Sequence, residues 1–233
     1  MKENSIHVVF VVDESGSMTP SQSDVIGGFK SVVDEQRKNV ADTNGTCLVS
    51  YYKFATNVQE VFKGKNIDEV DYLTEENYRP GGLTAMNDGI GIAIDNIGKW
   101  LDAMSEDEKP EKNLVVIITD GEENNSKEYT TQQVRDMIKH QEEKYSWSFI
   151  YLGTDITTTK YADSLGVHTR GFASRSSMGD TYAYVNTVMS SYLCTSGDSN
   201  TKAMALNEAA SSGATALNTA YEAETGNKID GLD

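Results

Sequence analysis

Two uninterrupted apolar runs are the strongest structural signals in the sequence. Residues 8–12 read VVFVV and residues 114–118 read LVVII, so both runs are rich in β-branched side chains and contain no polar residue. Strands that are apolar at every position are typical of a sheet covered on both faces, as at the centre of a parallel sheet. We therefore expect these runs to be neighbouring central strands.

The rest of the chain alternates between strand and helix signals. Further strands are predicted at residues 46–54, 58–62, 147–152 and 167–172, and the short link 55–57 makes the first two a hairpin with an antiparallel edge strand. Apolar residues three and four apart predict helices at 24–39, 87–104, 129–144, 157–165 and 179–193. This alternation indicates an α/β fold with a mainly parallel sheet and right-handed crossovers.

The end of the chain has a different composition. Residues 195–233 are rich in Ala, Ser, Thr, Asn and Gly, and Tyr221 is their one aromatic residue. Such a segment buries too little apolar surface to offset the entropy of ordering by itself. We therefore divide the chain into a domain at 1–194 and a tail at 195–233. Helical stretches at 203–210 and 214–224 of this tail either dock on the domain or a partner, or stay mobile.

The charge of the chain limits the classes of partner. Its 233 residues include 36 acidic and 20 basic ones, which gives a net charge of −16. Because nucleic-acid binding needs a basic surface, we expect none here. No apolar run is long enough to span a bilayer, and the first residues lack the pattern of a secretory signal. The sequence therefore predicts a cytoplasmic protein that binds no membrane, and two cysteines fit a reducing compartment.

Three segments rich in side-chain oxygens follow or connect the predicted strands. The first central strand leads directly into Asp13, Ser15 and Ser17, and the second leads into Asp120. Between them, the glycine-rich segment 80–84 opens a predicted helix and supplies Thr84. Ligands of open parallel sheets bind at the carboxyl ends of the strands. We therefore expect the three segments to meet at one edge of the sheet.

These five side chains offer only oxygen atoms. An oxygen-only set suits a hard divalent cation, above all Mg²⁺, with Mn²⁺ or Ca²⁺ as alternatives. Because three of the donors are neutral hydroxyls, the cation would keep much of its charge and a free position for an Asp or Glu of another protein. The alternative for Asp13 and Ser15 is a simple helix N-cap.

The three segments, in this order, resemble the metal-ion-dependent adhesion site (MIDAS) of von Willebrand factor type A domains. The contexts FVVDESGSM, PGGLTAMNDGI and VIITDGEEN are similar to short stand-alone bacterial and phage members, and the resemblance covers about residues 6–193. It implies a six-stranded, doubly wound (Rossmann-like) sheet with one antiparallel edge strand and helices on both faces. It also implies that Ser15, Ser17 and Thr84 bind the metal directly. Asp13 and Asp120 would bind it directly or through water.

Residues beside the three segments are candidates for a partner-binding rim. Met18 and Tyr78 adjoin the proposed metal loops and could offer apolar contacts. Glu122 and Glu123 follow Asp120, either as solvated charges or as influences on metal affinity and partner choice. Asp88 either complements the dipole of a helix or supports the metal ligands.

A metal-dependent protein-interaction module is the function that these observations favour, since no nucleophile–base pair accompanies the donors. An Mg²⁺-dependent phosphoester hydrolase is the enzyme alternative. It is disfavoured because the loop of aspartyl-phosphate hydrolases that this segment resembles reads Asp-x-Asp, whereas this chain has Asp13-x-Ser15. The third alternative is a bacterial or phage assembly protein that uses residues 195–233 as a docking arm.

Overall fold

A six-stranded sheet forms the centre of the protein, which we describe from a computed structural model covering residues 1–154, 157–173 and 178–229. The sheet has the order β3-β2-β1-β4-β5-β6, and only the β2–β3 pair among these is antiparallel. The prediction of a mainly parallel sheet with one antiparallel edge strand is confirmed. The strands are β1 (Lys2–Asp13), β2 (Thr46–Phe54), β3 (Val58–Asn66), β4 (Pro110–Thr119), β5 (Ser148–Gly153) and β6 (Thr169–Phe172).

Six α-helices surround the sheet within the described residues. The apolar faces of α1 and α5 pack on one side of the sheet, and those of α2, α3 and α4 pack on the other. This arrangement confirms the doubly wound fold. The helices are α1 (Gln22–Thr43), α2 (Met86–Asp102), α3 (Thr131–Tyr145), α4 (Thr157–Leu165), α5 (Met178–Cys194) and α6 (Ser199–Thr225).

The central strand β1 shows why its sequence is apolar at every position. Alternate side chains point to opposite faces of a strand. Accordingly, Val8 and Phe10 join the core beneath α1 and α5, whereas Val9 and Val11 join the core beneath α2 and α3. Both β2 and β4 run parallel to β1, so β1 is enclosed on its two edges as well as on its two faces.

The last helix lies across the edge strand β6. Leu206 on α6 belongs to the core on the α1 side of the sheet, and Tyr221 belongs to the core on the other side. Between them, the side-chain oxygen of Asn218 accepts a hydrogen bond of 2.9 Å from the backbone N–H of Phe172. Residues 199–225 therefore form one docked helix instead of two shorter ones. The division of the chain at residue 194 stays a prediction.

Two further observations concern the surroundings of the protein. None of the helices in the described part of the chain combines the length and the apolar character that crossing a membrane requires. Cys47 is buried and Cys194 is exposed, and neither forms a disulfide. The cytoplasmic location stays a prediction.

Candidate metal site

The first part of the site is the turn that follows β1. Asp13 ends the strand and is fully buried. One of its carboxylate oxygens accepts from the backbone N–H of Ser15 at 2.7 Å, and the other accepts from the Thr119 hydroxyl on β4 at 2.6 Å. Its carbonyl oxygen accepts from the Tyr78 hydroxyl at 2.7 Å. Both central strands therefore fix the position of the Asp13 carboxylate.

A row of side-chain oxygens continues from this turn to the end of β4. Ser15 Oγ lies 2.9 Å from Ser17 Oγ, and the Ser17 hydroxyl donates to Asp120 Oδ1 at 2.6 Å. Ser15 and Asp120 are buried, and Ser17 is partly exposed. Ser17 lies in the short 3₁₀ helix Gly16–Ser21, which begins directly after Ser15.

Thr84 completes the set, and Gly121 shows that the donors surround one space. A Cβ atom at residue 121 would lie 3.4 Å from Thr84 Oγ1, 3.5 Å from Ser17 Oγ and 3.6 Å from Asp13 Oδ2. Glycine therefore keeps clear the space that the donors share. The structure brings together all five side chains that the sequence singles out.

The electrostatics of this space suit a cation. Burial raises the pKa of Asp13 from 3.8 to about 6, against the lowering effect of its hydrogen bonds from Thr119 and Ser15, and the nearby Asp120 carboxylate raises it further. A divalent cation would offset this unfavourable burial of negative charge. Across the described residues, no group of three or more His, Cys, Asp or Glu side chains could hold a metal. The donors that the structure brings together here are two carboxylates and three hydroxyls.

The loop that carries Thr84 is fixed by its backbone. Each residue from 81 to 85 has a backbone group bonded to a neighbouring loop. The N–H of Gly81 donates to the carbonyl of Glu14 (2.8 Å), and the carbonyl of Gly82 accepts from the N–H of Gly16 (3.2 Å). The N–H of Leu83 donates to Thr56 Oγ1 (3.0 Å), and the N–H of Thr84 donates to Asn124 Oδ1 (2.9 Å). The N–H of Ala85 donates to the carbonyl of Ala55 (2.8 Å). We call residues 80–85 the Thr84 loop.

Asn124 is the main partner of Thr84 and was missed by the sequence reasoning. Its side chain accepts from the Thr84 N–H, and the Thr84 carbonyl accepts from the N–H groups of Asn124 at 3.0 Å and Asn125 at 3.2 Å. The Asn125 side chain instead donates to the Thr56 carbonyl at 2.8 Å. A side chain that bonds to distant backbone groups leaves no local sequence pattern, so no signal could have identified Asn124.

Two acidic residues organise the segment after Asp120 and do not face the shared space. The Asp88 carboxylate accepts from three consecutive backbone N–H groups, those of Lys127, Glu128 and Tyr129, at 2.8–2.9 Å. The Glu123 carboxylate accepts from the N–H of Asn87 at the start of α2 and from the N–H groups of Asn125 and Ser126. Asp88 and Glu123 thereby connect residues 121–130 to α2.

The structure corrects part of the predicted rim. Met18 and Tyr78 are fully buried, so the prediction that they offer apolar surface to a partner is wrong. The 3₁₀ helix turns Met18 into the core, and the Tyr78 ring is covered where its hydroxyl reaches Asp13. Glu122 is exposed, whereas the Glu123 carboxylate is occupied by backbone donors. Leu83, which the sequence reasoning passed over, is 51% exposed.

Comparison with known families supports the sequence resemblance. A sequence model of the von Willebrand factor type A domain matches residues 7–165. The match runs from β1 to the end of α4 and includes all five candidate ligands. A search of curated proteins found no match to this chain.

Solved structures share the fold at low sequence identity. The pilus adhesin SpaC from Lactobacillus rhamnosus GG superposes with a TM-score of 0.62 at 13% identity, covering 83% of this chain and 31% of the adhesin. Proximal thread matrix protein 1 from the mussel byssus, with a zinc-occupied MIDAS motif, gives 0.53 at 17% identity, covering 80% and 48%. A von Willebrand factor type A protein from Catenulispora acidiphila gives 0.50 at 14%, covering 82% and 43%. This chain spans less than half the length of each.

Proposed function

This chain belongs to the von Willebrand factor type A family, and on that basis we propose that it binds an acidic side chain of another protein through a divalent cation. Members of the family are typically metal-dependent protein-interaction modules and are generally not enzymes. In this proposal Ser15, Ser17 and Thr84 bind the cation directly. Asp13 and Asp120 bind it directly or through water.

The observation that carries the proposal is the space beside Gly121. A single Cβ there would lie 3.4–3.6 Å from Thr84 Oγ1, Ser17 Oγ and Asp13 Oδ2. Ser15 and Asp120 join this set through their hydrogen bonds with Ser17. Mg²⁺ fits this set best because it prefers oxygen ligands and tolerates neutral ones alongside water. Mn²⁺ and Ca²⁺ have similar preferences, and zinc occupies the MIDAS motif of the mussel protein. All four metals should therefore be compared.

The net charge of −16 gives the cation a second role. An acidic surface repels an acidic partner, and this repulsion slows encounter. A bound divalent cation supplies positive charge and an open coordination position at one place on that surface. Partner binding should therefore depend on metal occupancy more strongly than it would on a neutral domain.

The proposal is tested by titrating Mg²⁺, Mn²⁺, Ca²⁺ and Zn²⁺ into the protein by calorimetry. We expect one site per chain, weakened by at least about tenfold in Thr84→Ala because a direct ligand is lost. Thr215→Ala is the matched control, since Thr215 is an exposed threonine of α6. Equal affinities of the T84A variant and the wild type, or no binding of any of the four metals, would show that the proposal is wrong.

A further inference from the structure

A cavity of about 670 Å³ opens at the amino end of β4, whereas the proposed metal ligand Asp120 follows the carboxyl end of the same strand. The walls of the cavity come from the last turns of α2 and α3, the first residues of β4 and the start of α6. A cleft of this volume accommodates a small organic molecule. The charged and aromatic groups of its lining determine which molecule fits.

Lys112 of β4 is a charged group built into the wall of this cavity. It is 8% exposed, and its Nζ donates to the carbonyl oxygen of Ser146 at 2.6 Å. Burial lowers the pKa of Lys112 from 10.5 to about 8, and the Glu142 carboxylate only partly offsets this effect. An ammonium group has three N–H donors, so Lys112 keeps donors for an anion in the cavity.

Tyr192 of α5 supplies a second buried polar group to the lining. It is fully buried, and its hydroxyl makes no hydrogen bond within the described part of the chain. A buried hydroxyl without a partner is unfavourable, and an acceptor oxygen of a ligand would remove this cost. Trp147 and Leu101 add largely buried apolar surface. A few buried polar groups among aromatic and apolar ones are typical of small-molecule sites.

The other charges of the lining leave an excess of positive charge. Three of its four acidic side chains already have a basic partner, in the pairs Lys99–Asp95, Lys109–Glu106 and Lys202–Glu111. Across the described residues, Asp102 is the acidic side chain of the lining without an ion pair, whereas the basic side chains of Lys112 and Lys144 both lack one. The cavity therefore favours an anion, although the net charge of the chain is −16.

We propose that this cavity binds a small organic anion, in which a carboxylate or phosphate accepts hydrogen bonds from Lys112 and Tyr192 and an aromatic body packs on Trp147. This site is separate from the metal site and requires no metal. It gives the domain a second binding function at the amino end of its sheet.

Three probes that share a naphthyl ring test the proposal. They are naphthylacetate, naphthyl phosphate and the neutral naphthylethanol. Each is titrated into the full chain without added metal, and binding is followed by the NMR signals of the indole N–H groups of its two tryptophans. Trp147 lines the cavity, whereas Trp100 packs against His7 at 5.1 Å between ring centres and serves as an internal control.

The protein variants remove one proposed contact each. Lys112→Met removes the ammonium group and keeps a long side chain, and Tyr192→Phe removes the hydroxyl alone. Lys38→Met is the matched control, because Lys38 is an exposed lysine of α1 outside the cavity. Thermal unfolding of each variant confirms that it is folded.

We expect the anionic probes to shift the Trp147 signal in a saturable way and to leave the Trp100 signal unchanged. Their affinity should exceed that of naphthylethanol by about tenfold, because hydrogen bonds to a charged group are strong. In K112M this preference should disappear, and Y192F should bind the anionic probes about threefold more weakly. K38M should behave as the wild type does. The anionic probe that binds more tightly identifies the anionic group.

Several results would overturn the proposal. They are a Trp147 signal that no probe shifts in the wild type, equal affinities for the anionic and neutral probes, and a preference for the anion that persists in K112M. If K112M does not fold, Y192F decides, and wild-type affinity of this variant for the anionic probes would show that the inference is wrong. The metal site is tested separately by Thr84→Ala, so neither result depends on the other.

Discussion

The turn after β1 and the segment after Asp120 both hold buried carboxylates, but they hold them with different donors. Asp88 accepts from three backbone N–H groups of residues 127–129. Asp13 accepts from one backbone N–H and one hydroxyl, and its neighbours Ser15 and Ser17 bond to each other. Backbone donors cannot turn away without breaking the segment, whereas hydroxyl groups rotate freely.

This difference assigns different roles to two residues of the same type. Three backbone N–H groups stabilise the negative charge of the Asp88 carboxylate within the protein, so Asp88 has a structural role. Compensation of Asp13 is incomplete, since burial keeps its pKa near 6 despite the hydrogen bonds. A carboxylate that the protein itself leaves undercompensated is available to a cation.

The largest effect is expected for Asp13→Asn. Metal affinity should fall by at least about 100-fold, since a charged ligand is lost. Metal-free stability at pH 7 should rise, because the pKa of Asp13 is raised from 3.8 to about 6 and the cost of ionising it in the fold appears as pH rises through that range. The upper bound on this gain in the free energy of unfolding is about 3 kcal/mol. Calorimetry and urea unfolding measure the two effects; a D13N variant less stable than the metal-free wild type would contradict the contrast.

Asp88→Ala should have the opposite profile. Three buried N–H groups lose their partner, and hydrogen bonds to a charged group contribute enough that we expect a loss of about 3 kcal/mol in unfolding free energy. The loss in unfolding free energy should be the same with and without Mg²⁺, because a variant with unchanged metal affinity is stabilised by the metal as much as the wild type is. Urea unfolding at matched metal concentrations measures it. Wild-type stability of D88A would mean that Asp88 does not hold structure.

The pH dependence of metal binding sharpens the assignment of Asp13. Because the pKa of Asp13 is raised to about 6 by burial, protons compete with the cation below that pH. We expect affinity for Mn²⁺ to be nearly constant from pH 8 to 7 and to be about tenfold weaker at pH 5 than at pH 7. Titrations at each pH in buffers of equal ionic strength measure this. A constant affinity down to pH 5 would show that Asp13 is not a ligand.

A smaller effect is expected from the partner of Thr84. Asn124→Ala removes the acceptor of the Thr84 N–H, and misplacing a ligand in this way should weaken metal binding about fivefold. Asn125→Ala is the matched control, because the Asn125 side chain bonds to Thr56 instead. Calorimetry on the pair separates positioning of Thr84 from general loosening of the segment. Equal losses in both variants would remove the special role of Asn124.

Much of the fold was predictable because its signals are local. The runs at residues 8–12 and 114–118 are apolar on both faces of the strand, and this property can be recognised without knowing how the strand packs. The five oxygen donors were predictable because parallel strands bring their carboxyl ends to one edge. What the sequence could not reveal is how far each strand extends, as β3 continues to Asn66 and β1 begins at Lys2.

The roles of individual loop residues were less predictable, because they depend on contacts between distant segments. Met18 adjoins the donors in sequence, yet a short 3₁₀ helix places it in the core. Glu123 looks like a surface charge, yet its carboxylate binds the N–H at the start of α2. The alanine-rich segment after residue 195 buries little surface by itself, but it forms a helix because β6 and α5 provide the surface that it lacks.

The position of α6 also bears on how copies of this domain behave when crowded together. Sheets polymerise by adding strands at open edges, and native proteins protect those edges. Here α6 crosses β6, and Asn218 occupies the N–H of Phe172 that an incoming strand would use. At the other edge, β3 carries charged side chains at Glu60, Lys63 and Lys65, together with Gly64 at φ +60°. Both borders of the sheet therefore carry features that disfavour the addition of another strand.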